Sequence, residues 1–375
     1  MKKAIKMLRN SFLENFKGQY DAYLNTHSAK ISLLRAFSFG EFNLQDYCAN
    51  FYPHPKNKQL VYEAKSYCDQ YGIWLDNAAQ YITCAIYLFS SGHGFRMKPL
   101  LQNCAVDFYL NDTWGRELFA GLDTGEQTLA RQVIKRISTD SGIMNPPENA
   151  HQIELATREM MLEFKRTSPA GWYQKFSRLY NYHVKITHKD LNADQLGRVL
   201  TVEEYIEARC HISGMHHTLT FLEYAEGQFL NTSWIKRIGL KKPLERLNFV
   251  VAAIGALMND LFSFEKEVID HQSDCNLVAI IALNNPAFSI EQVLEQAAAV
   301  VRNLLAEYLE LSKEIQMQGY LALPHARTKV DVLENYLNGL NRVVMASWIW
   351  QISTTRYKRQ FSIWEETTSH QAVTV

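Results

Sequence analysis

The sequence predicts an all-α fold in a single domain. Helix breakers are scarce for a chain of 375 residues, with 17 Gly and 9 Pro, so long uninterrupted helices are possible. Apolar residues recur at spacings of three and four, whereas two-residue alternation bounded by turn signals is hard to find. Paired capping signals mark helix starts.

Taken in chain order, the basic opening MKKAIKMLRNSFLENFKGQY lacks a continuous apolar stretch and a small-residue cleavage site, so it is not a secretory signal. Residues 1–50 are expected to form a helical extension packed on the main domain, 51–364. Loops are expected at FYPHPKN (51–57), SSGHG (90–94), STDSGIMNPPEN (138–149) and NNPAF (284–288). Thr201 and Glu204 form a capping box that opens TVEEYIEARCHISG. Pro243 suits the first turn of a helix whose apolar stripe runs through Leu244, Leu247, Val250, Val251, Ile254, Leu257, Met258 and Leu261. Continued to about Asp270, that helix would be roughly 40 Å long. Ser289 and Gln292 form a second box, with Phe288 and Val293 placed as a hydrophobic staple. A last apolar helix carries Val343, Val344, Trp348 and Ile349, and residues 365–375 read as a loose polar tail. The chain is too long for a four-helix bundle, so about ten or more packed helices are expected.

Composition excludes several classes. Lys+Arg and Asp+Glu both number 39, and this zero net charge argues against nucleic-acid binding, which needs a basic footprint. No run of 18 apolar residues occurs, which argues against stable membrane insertion. The six cysteines are scattered without a C-x-x-C pair or a Cys/His cluster, so neither a disulfide framework nor a zinc site is indicated. A soluble protein of a reducing compartment, hence cytoplasmic, is expected. Aromatic residues are abundant (19 Tyr, 19 Phe, 7 Trp), enough to furnish both a core and an apolar pocket.

The stretch NDLFSFEKE ends the apolar helix with Asn259, Ser263 and Glu267 at i, i+4 and i+8. Each step of four residues turns about 400°, so the three oxygens would form a stripe about 12 Å long. Amide, hydroxyl and carboxylate oxygens are hard donors suited to Mg²⁺, which completes its shell from water and substrate phosphates. Lys266 adds a cation for the same phosphate. The plain alternative is a helix surfacing near its end.

NDLFSFEKE resembles the second metal motif of class I terpene synthases, and DCNLVAIIALNN resembles the stretch that follows it. TVEEYIEARCHISG resembles the pyrophosphate-sensing helix and its break, with Arg209 or Cys210 as the sensor and Gly214 at the break. TTRYKR, with Arg356 and Tyr357, resembles the C-terminal Arg-Tyr pair. PHPKNKQLVYEAKSYCDQYGIWLD resembles the opening of the bacterial catalytic domain. The resemblance spans roughly residues 50 to 360 in the family's order and implies a class I terpenoid synthase-like helical bundle with a central active-site cavity.

The family's aspartate-rich first motif is degenerate. In VDFYLNDTWGRE its paired acids fall on Asn111 and Asp112, and its third acid falls on Gly115. Asp107 and Glu117 are the nearby acids that could replace the missing carboxylate. The competing readings are ordinary surface acids, with Asp112 paired to Arg116 at i+4. The resemblance implies three Mg²⁺ and ionisation of a linear prenyl diphosphate, farnesyl or geranylgeranyl, to a cyclic sesqui- or diterpene. Arg209, Lys266, Arg356 and Tyr357 would meet the leaving diphosphate, and a free carbonyl near Gly214 would face the cation. The other role for Arg209 is an ion pair with Glu204 or Glu207. Phe108, Tyr109, Phe262, Trp348 and Trp350 are the candidate aromatic walls, since aromatic faces stabilise cations. Other readings are a prenyl-binding protein without turnover and a chain-elongating synthase, which needs two full aspartate-rich motifs. A homodimer is compatible with the resemblance.

Overall fold

A computed structural model describes residues 2–27, 30–76, 78–119 and 121–368. Among these, helices dominate and only isolated β-bridges occur. The elements that build the site are α1 (Lys2–Thr26), α2 (Ala78–Leu88), α3 (Met97–Trp114), α4 (Ala170–Thr187), α5 (Val202–Ile212), α6 (Met215–Glu226), α7 (Lys241–Phe264), α8 (Ile290–Leu321) and α9 (Leu323–Ser353).

The centre of the fold is α7. Its residues from Val250 to Met258 are fully buried, because α5, α6, α8 and α9 surround it. A helix apolar all round must be enclosed, and that enclosure satisfies its length and hydropathy without a membrane. Both expected capping boxes are formed, at Thr201–Glu204 and at Ser289–Gln292. A third, His151–Glu154, opens the helix Gln152–Thr167 with a histidine ring nitrogen in place of a hydroxyl.

Two expectations are corrected. The helix through NDLFSFEKE is not α-helical to Asp270. It widens into a π turn over Glu265–Asp270, with the His271 amide donating to the Lys266 carbonyl at 3.1 Å. Such turns insert a residue into the helical register and are frequent at functional sites. Residues 365–368 are also not loose, and 369–375 of the expected tail lie outside the described residues. Glu366 Oε2 accepts from the Leu33 amide, and Oε1 accepts from the Leu34 amide and the Ser32 hydroxyl, capping the short helix Leu33–Phe37. The Glu365 amide donates to the Ile31 carbonyl at 2.9 Å. Polarity marked these residues as surface, and it does not distinguish a solvated carboxylate from a cap.

The N-terminal segment is tied in by a buried carboxylate. Glu265 Oε1 accepts from the Tyr20 hydroxyl (2.6 Å) and the Ile363 amide (2.9 Å), and Oε2 accepts from the Ser362 hydroxyl (2.6 Å). One side chain of the π turn therefore joins α1 to the C-terminal segment, a fully satisfied network of the kind that rigidifies its surroundings.

Candidate active site

A cavity of about 250 Å³ opens between α2, α3, α4, α5, α6, α7 and α9. Gly255 permits the approach on one side. A Cβ there would lie 2.7 Å from Met215 Cε and 3.2 Å from Ser347 Oγ. Much of the lining is apolar, with Leu88, Phe89, Leu100, Phe108, Phe221 and Trp350 among its walls. Polar and charged side chains also line it: Asn111, Arg209, Asn259, Lys266, Glu267, Arg356 and Tyr357.

The α7 wall is built from buried partners. Asp260 is fully buried. Its Oδ1 accepts from Arg209 Nε at 2.6 Å, and its Oδ2 accepts from the Tyr205 hydroxyl (2.6 Å) and the Leu277 amide (2.8 Å). Arg209 Nη2 also donates to Asn259 Oδ1 at 2.8 Å, and Asn259 Nδ2 donates to the Tyr357 hydroxyl at 2.8 Å. Glu267 Oε2 accepts from Asn276 Nδ2 at 2.9 Å, and the same amide group donates to the Asp260 carbonyl. Arg209 therefore pairs with Asp260, not with Glu204 or Glu207; Glu204 is held by Arg198. Between the two candidate sensors, Arg209 lines the cavity, while Cys210 is buried outside it.

The expected oxygen stripe is altered by the π turn. Lys266 and Glu267, adjacent in sequence, both line the cavity, and Ser263 does not. Ser263 is 1% exposed, and its Oγ has no hydrogen-bond partner. A buried hydroxyl left without a partner is costly and calls for a ligand. Asn259, Ser263 and Glu267 offer an amide, a hydroxyl and a carboxylate oxygen, donor types suited to a divalent cation. Among the described residues no three His, Cys, Asp or Glu side chains are grouped to hold a metal. The rest of the coordination shell would then come from phosphate and water.

The α3 wall is organised differently. Asp112 receives the Arg356 guanidinium fork at 3.0 and 2.9 Å, and Asn111 Nδ2 donates to its Oδ1 at 2.9 Å. Burial raises the Asp112 carboxyl, but the Arg356 fork outweighs it and leaves the group below its ordinary range. Arg356 also lies over the rings of Tyr81 (4.7 Å) and Phe108 (5.4 Å). Asn111 lines the cavity. Gly115, where the third acid was expected, ends α3. Its amide donates to the Asn111 carbonyl, and a Cβ would sit 2.1 Å from that oxygen. A side chain cannot be accommodated there without moving the helix end. The Glu117 side chain lies outside the described residues. Asp107 is not aligned with Asp112: its Oδ2 lies 3.4 Å from His217 Nε2 and 3.8 Å from His183 Nε2.

Of the expected aromatic walls, Phe108 and Trp350 line the cavity. Tyr109 packs edge-on against Trp114, and Phe262 packs on Trp348, which in turn meets Phe37. None of these three lines the cavity: Phe262 and Trp348 are buried in the core, and Tyr109 is half-buried against it. Phe89 and Phe221, in edge-to-face contact at 5.8 Å, were missed. So were Asp260 and Asn276, although both sit inside the motif stretches. Gly214 has φ +76°, and its position is restricted by His217 Cε1 at 2.8 Å from a Cβ. Its carbonyl is not free: it accepts from the Thr218 amide at 3.0 Å.

Residues 110–307 match the family described as "Terpene synthase family 2, C-terminal metal binding". The chain is similar to sesquiterpene cyclase hepA of Aspergillus oryzae, with 23% identity over 47% of this chain and 46% of that protein. It is also similar to 7-epi-alpha-eudesmol synthase of Streptomyces viridochromogenes, with 25% identity over 61% of this chain and 65% of that protein. The matched region thus spans about half to two thirds of these relatives. The structure superposes on that of linalool/nerolidol synthase from Streptomyces clavuligerus, in complex with 2-fluorogeranyl diphosphate. The TM-score is 0.65 at 14% identity, covering 80% of this chain and 96% of that one.

Proposed function

The chain belongs to terpene synthase family 2, and from that membership we propose that it is a Mg²⁺-dependent terpene cyclase. Its substrate would be a linear prenyl diphosphate, farnesyl or geranylgeranyl, and its products a cyclic terpene and diphosphate. The observation that carries this reading is a polar set on an apolar, aromatic chamber: Arg209, Asn259, Lys266, Glu267, Arg356 and Tyr357 share one cavity with Phe89, Phe108, Phe221 and Trp350.

Asn259, Ser263 and Glu267 would hold metal on one wall, and Asn111 with Asp112 on the other, for three ions in all. Bound there, Mg²⁺ supplies Lewis-acid stabilisation of charge on the leaving diphosphate. Arg209, Lys266 and Tyr357 donate to phosphate oxygens from preset positions, so little reorganisation of these groups is needed as the C–O bond breaks, and Arg356 joins them. Arg356 suits this role because its planar fork gives two parallel bonds. It has to exchange Asp112 for phosphate to do so. Phe108 and Trp350 offer ring faces to the resulting cation without attacking it.

The test is incubation of the purified protein with Mg²⁺ and geranyl, farnesyl, geranylgeranyl or geranylfarnesyl diphosphate, with assay of released diphosphate and of extractable products. Release with cyclic product from the C15 or C20 substrate is expected. No release from any of the four would refute the proposal, and product made only with added isopentenyl diphosphate would indicate chain elongation instead.

A further inference from the structure

A second carboxylate on α3 is not among the groups assigned above to diphosphate departure. Asp107 lies about 6 Å along the helix from Asn111, beside Cys104 and Phe108, and it lines the chamber together with His183. A carboxylate is expensive to bury in an apolar chamber meant to hold a cation dry. Its Oδ1 is buried without a well-aligned hydrogen-bond partner, and so is the hydroxyl of neighbouring Tyr180.

The surrounding hydrogen bonds define which imidazole nitrogens carry protons. His183 Nδ1 lies 2.8 Å from the His211 carbonyl oxygen, which only accepts, so Nδ1 carries the hydrogen. In the neutral ring Nε2 is then a bare lone pair, and it faces Asp107 Oδ2. His217 Nε2 lies near both Asp107 Oδ2 and Asn103 Oδ1, again acceptors, so this nitrogen carries the hydrogen. Asp107 Oδ2 thus lies near an imidazole N–H that bonds Asn103 and near a second imidazole nitrogen that carries a bare lone pair, with the Tyr180 hydroxyl beside the carboxylate. Burial is the first cause that raises the Asp107 carboxyl, to about 6, and the first cause that lowers the His183 imidazole, to about 4. Near neutral pH the carboxylate is therefore charged and the ring neutral. A proton delivered between them would relieve the repulsion.

We propose that Asp107, backed by His183, is the base that ends the reaction by removing a proton from the cyclised cation. The inference rests on the cyclase reading above. In this step a C–H bond next to the cationic carbon breaks, and its electron pair becomes the new C=C bond. The proton bonds to Asp107, whose O–H then donates to His183 Nε2. Carbocation and carboxylate are neutralised together, leaving an uncharged olefin in the chamber. The proton returns to solvent after product leaves.

The test is olefin formed per diphosphate released, measured for the wild type and for Asp107→Asn with farnesyl and geranylgeranyl diphosphates. A positioned base contributes on the order of 10²-fold or more to proton transfer, so a fall of at least about tenfold in that ratio is expected, with alcohols or differently placed double bonds appearing instead. His183→Leu, which removes the facing lone pair, should shift the ratio the same way, and it carries the test if Asp107→Asn does not fold. Asp107→Glu should restore part of the olefin. An unchanged ratio in the folded variants overturns the proposal, as does a wild-type product that is wholly an alcohol. Slower diphosphate release with an unchanged product profile also overturns it, because Asp107 would then belong with the ionising groups. If the wild type releases no diphosphate at all, the cyclase reading itself has failed.

Discussion

The two walls proposed to hold metal present oxygen groups on different foundations. On α7 and its π turn, two of the three groups are braced: Asn259 by Arg209 and Tyr357, Glu267 by Asn276, and both through buried Asp260, while Ser263 Oγ has no partner. On α3 the carboxylate of Asp112 is neutralised by Arg356, the guanidinium that a diphosphate would also recruit. The α7 wall is prebuilt, whereas the α3 wall has to exchange partners. Preorganisation lowers the cost of meeting a developing charge, so the α7 wall should carry more of the catalysis.

The sharpest way to break this contrast is at Glu267 and Asn259. Alanine at either should slow diphosphate release on the order of 10³-fold, since the oxygen set is opened. A smaller loss there than in Asp112→Asn would reverse the ranking of the walls. Arg356→Lys should come next, slowing release on the order of 10²-fold because the bidentate fork is lost while the charge remains; steady-state release assays check both. Asn276→Ala leaves every cavity-lining group in place and removes the support of Glu267, together with a bond to the Asp260 carbonyl and the cap on the Val278 amide. It should raise the Mg²⁺ concentration for half-maximal release about 10–100-fold, and a titration that does not move would mean that Glu267 needs no such support.

The smallest expected effects are on stability, and they separate two aspartates of the same helix. Asp107 is raised in the fold from 3.8 to about 6 by burial. Its contribution to stability is full below about pH 4 and is lost as pH rises through about 6. Asp112 is lowered on balance by the Arg356 fork, so its contribution is present above about pH 4 and is lost as pH falls below that. Asp107→Asn should therefore raise the melting temperature relative to wild type at pH 8, by about 2–4 °C, and leave it unchanged at pH 4. Asp112→Asn should lower it at pH 7, with the difference shrinking toward pH 3. Melting curves across that range test both signs.

Much of this site was legible along the chain because its parts are carried on helices with regular spacing. The apolar stripe from Leu244 to Leu261 marked the buried helix, and the polar residues at its end marked the wall. The acidic positions of α3 were harder. Whether Asp107, Asp112 or Glu117 faces a metal depends on helix rotation and on distant partners such as His217 and Arg356, which spacing does not report. The aromatic walls divided for the same reason. Phe108 and Tyr109 are adjacent and chemically alike, yet only one faces the cavity.

The sequence by itself determined the helical class, the central helix, two capping boxes and the identity of the polar groups around Asn259, since these follow from local periodicity and short-range hydrogen bonding. Only the tertiary structure decided that a π turn brings Lys266 and Glu267 together onto the cavity. It also decided that Arg209 braces Asp260, and that Asp107 faces two imidazoles. Such choices rest on contacts between segments far apart in the chain, where burial and partner geometry outweigh local preference.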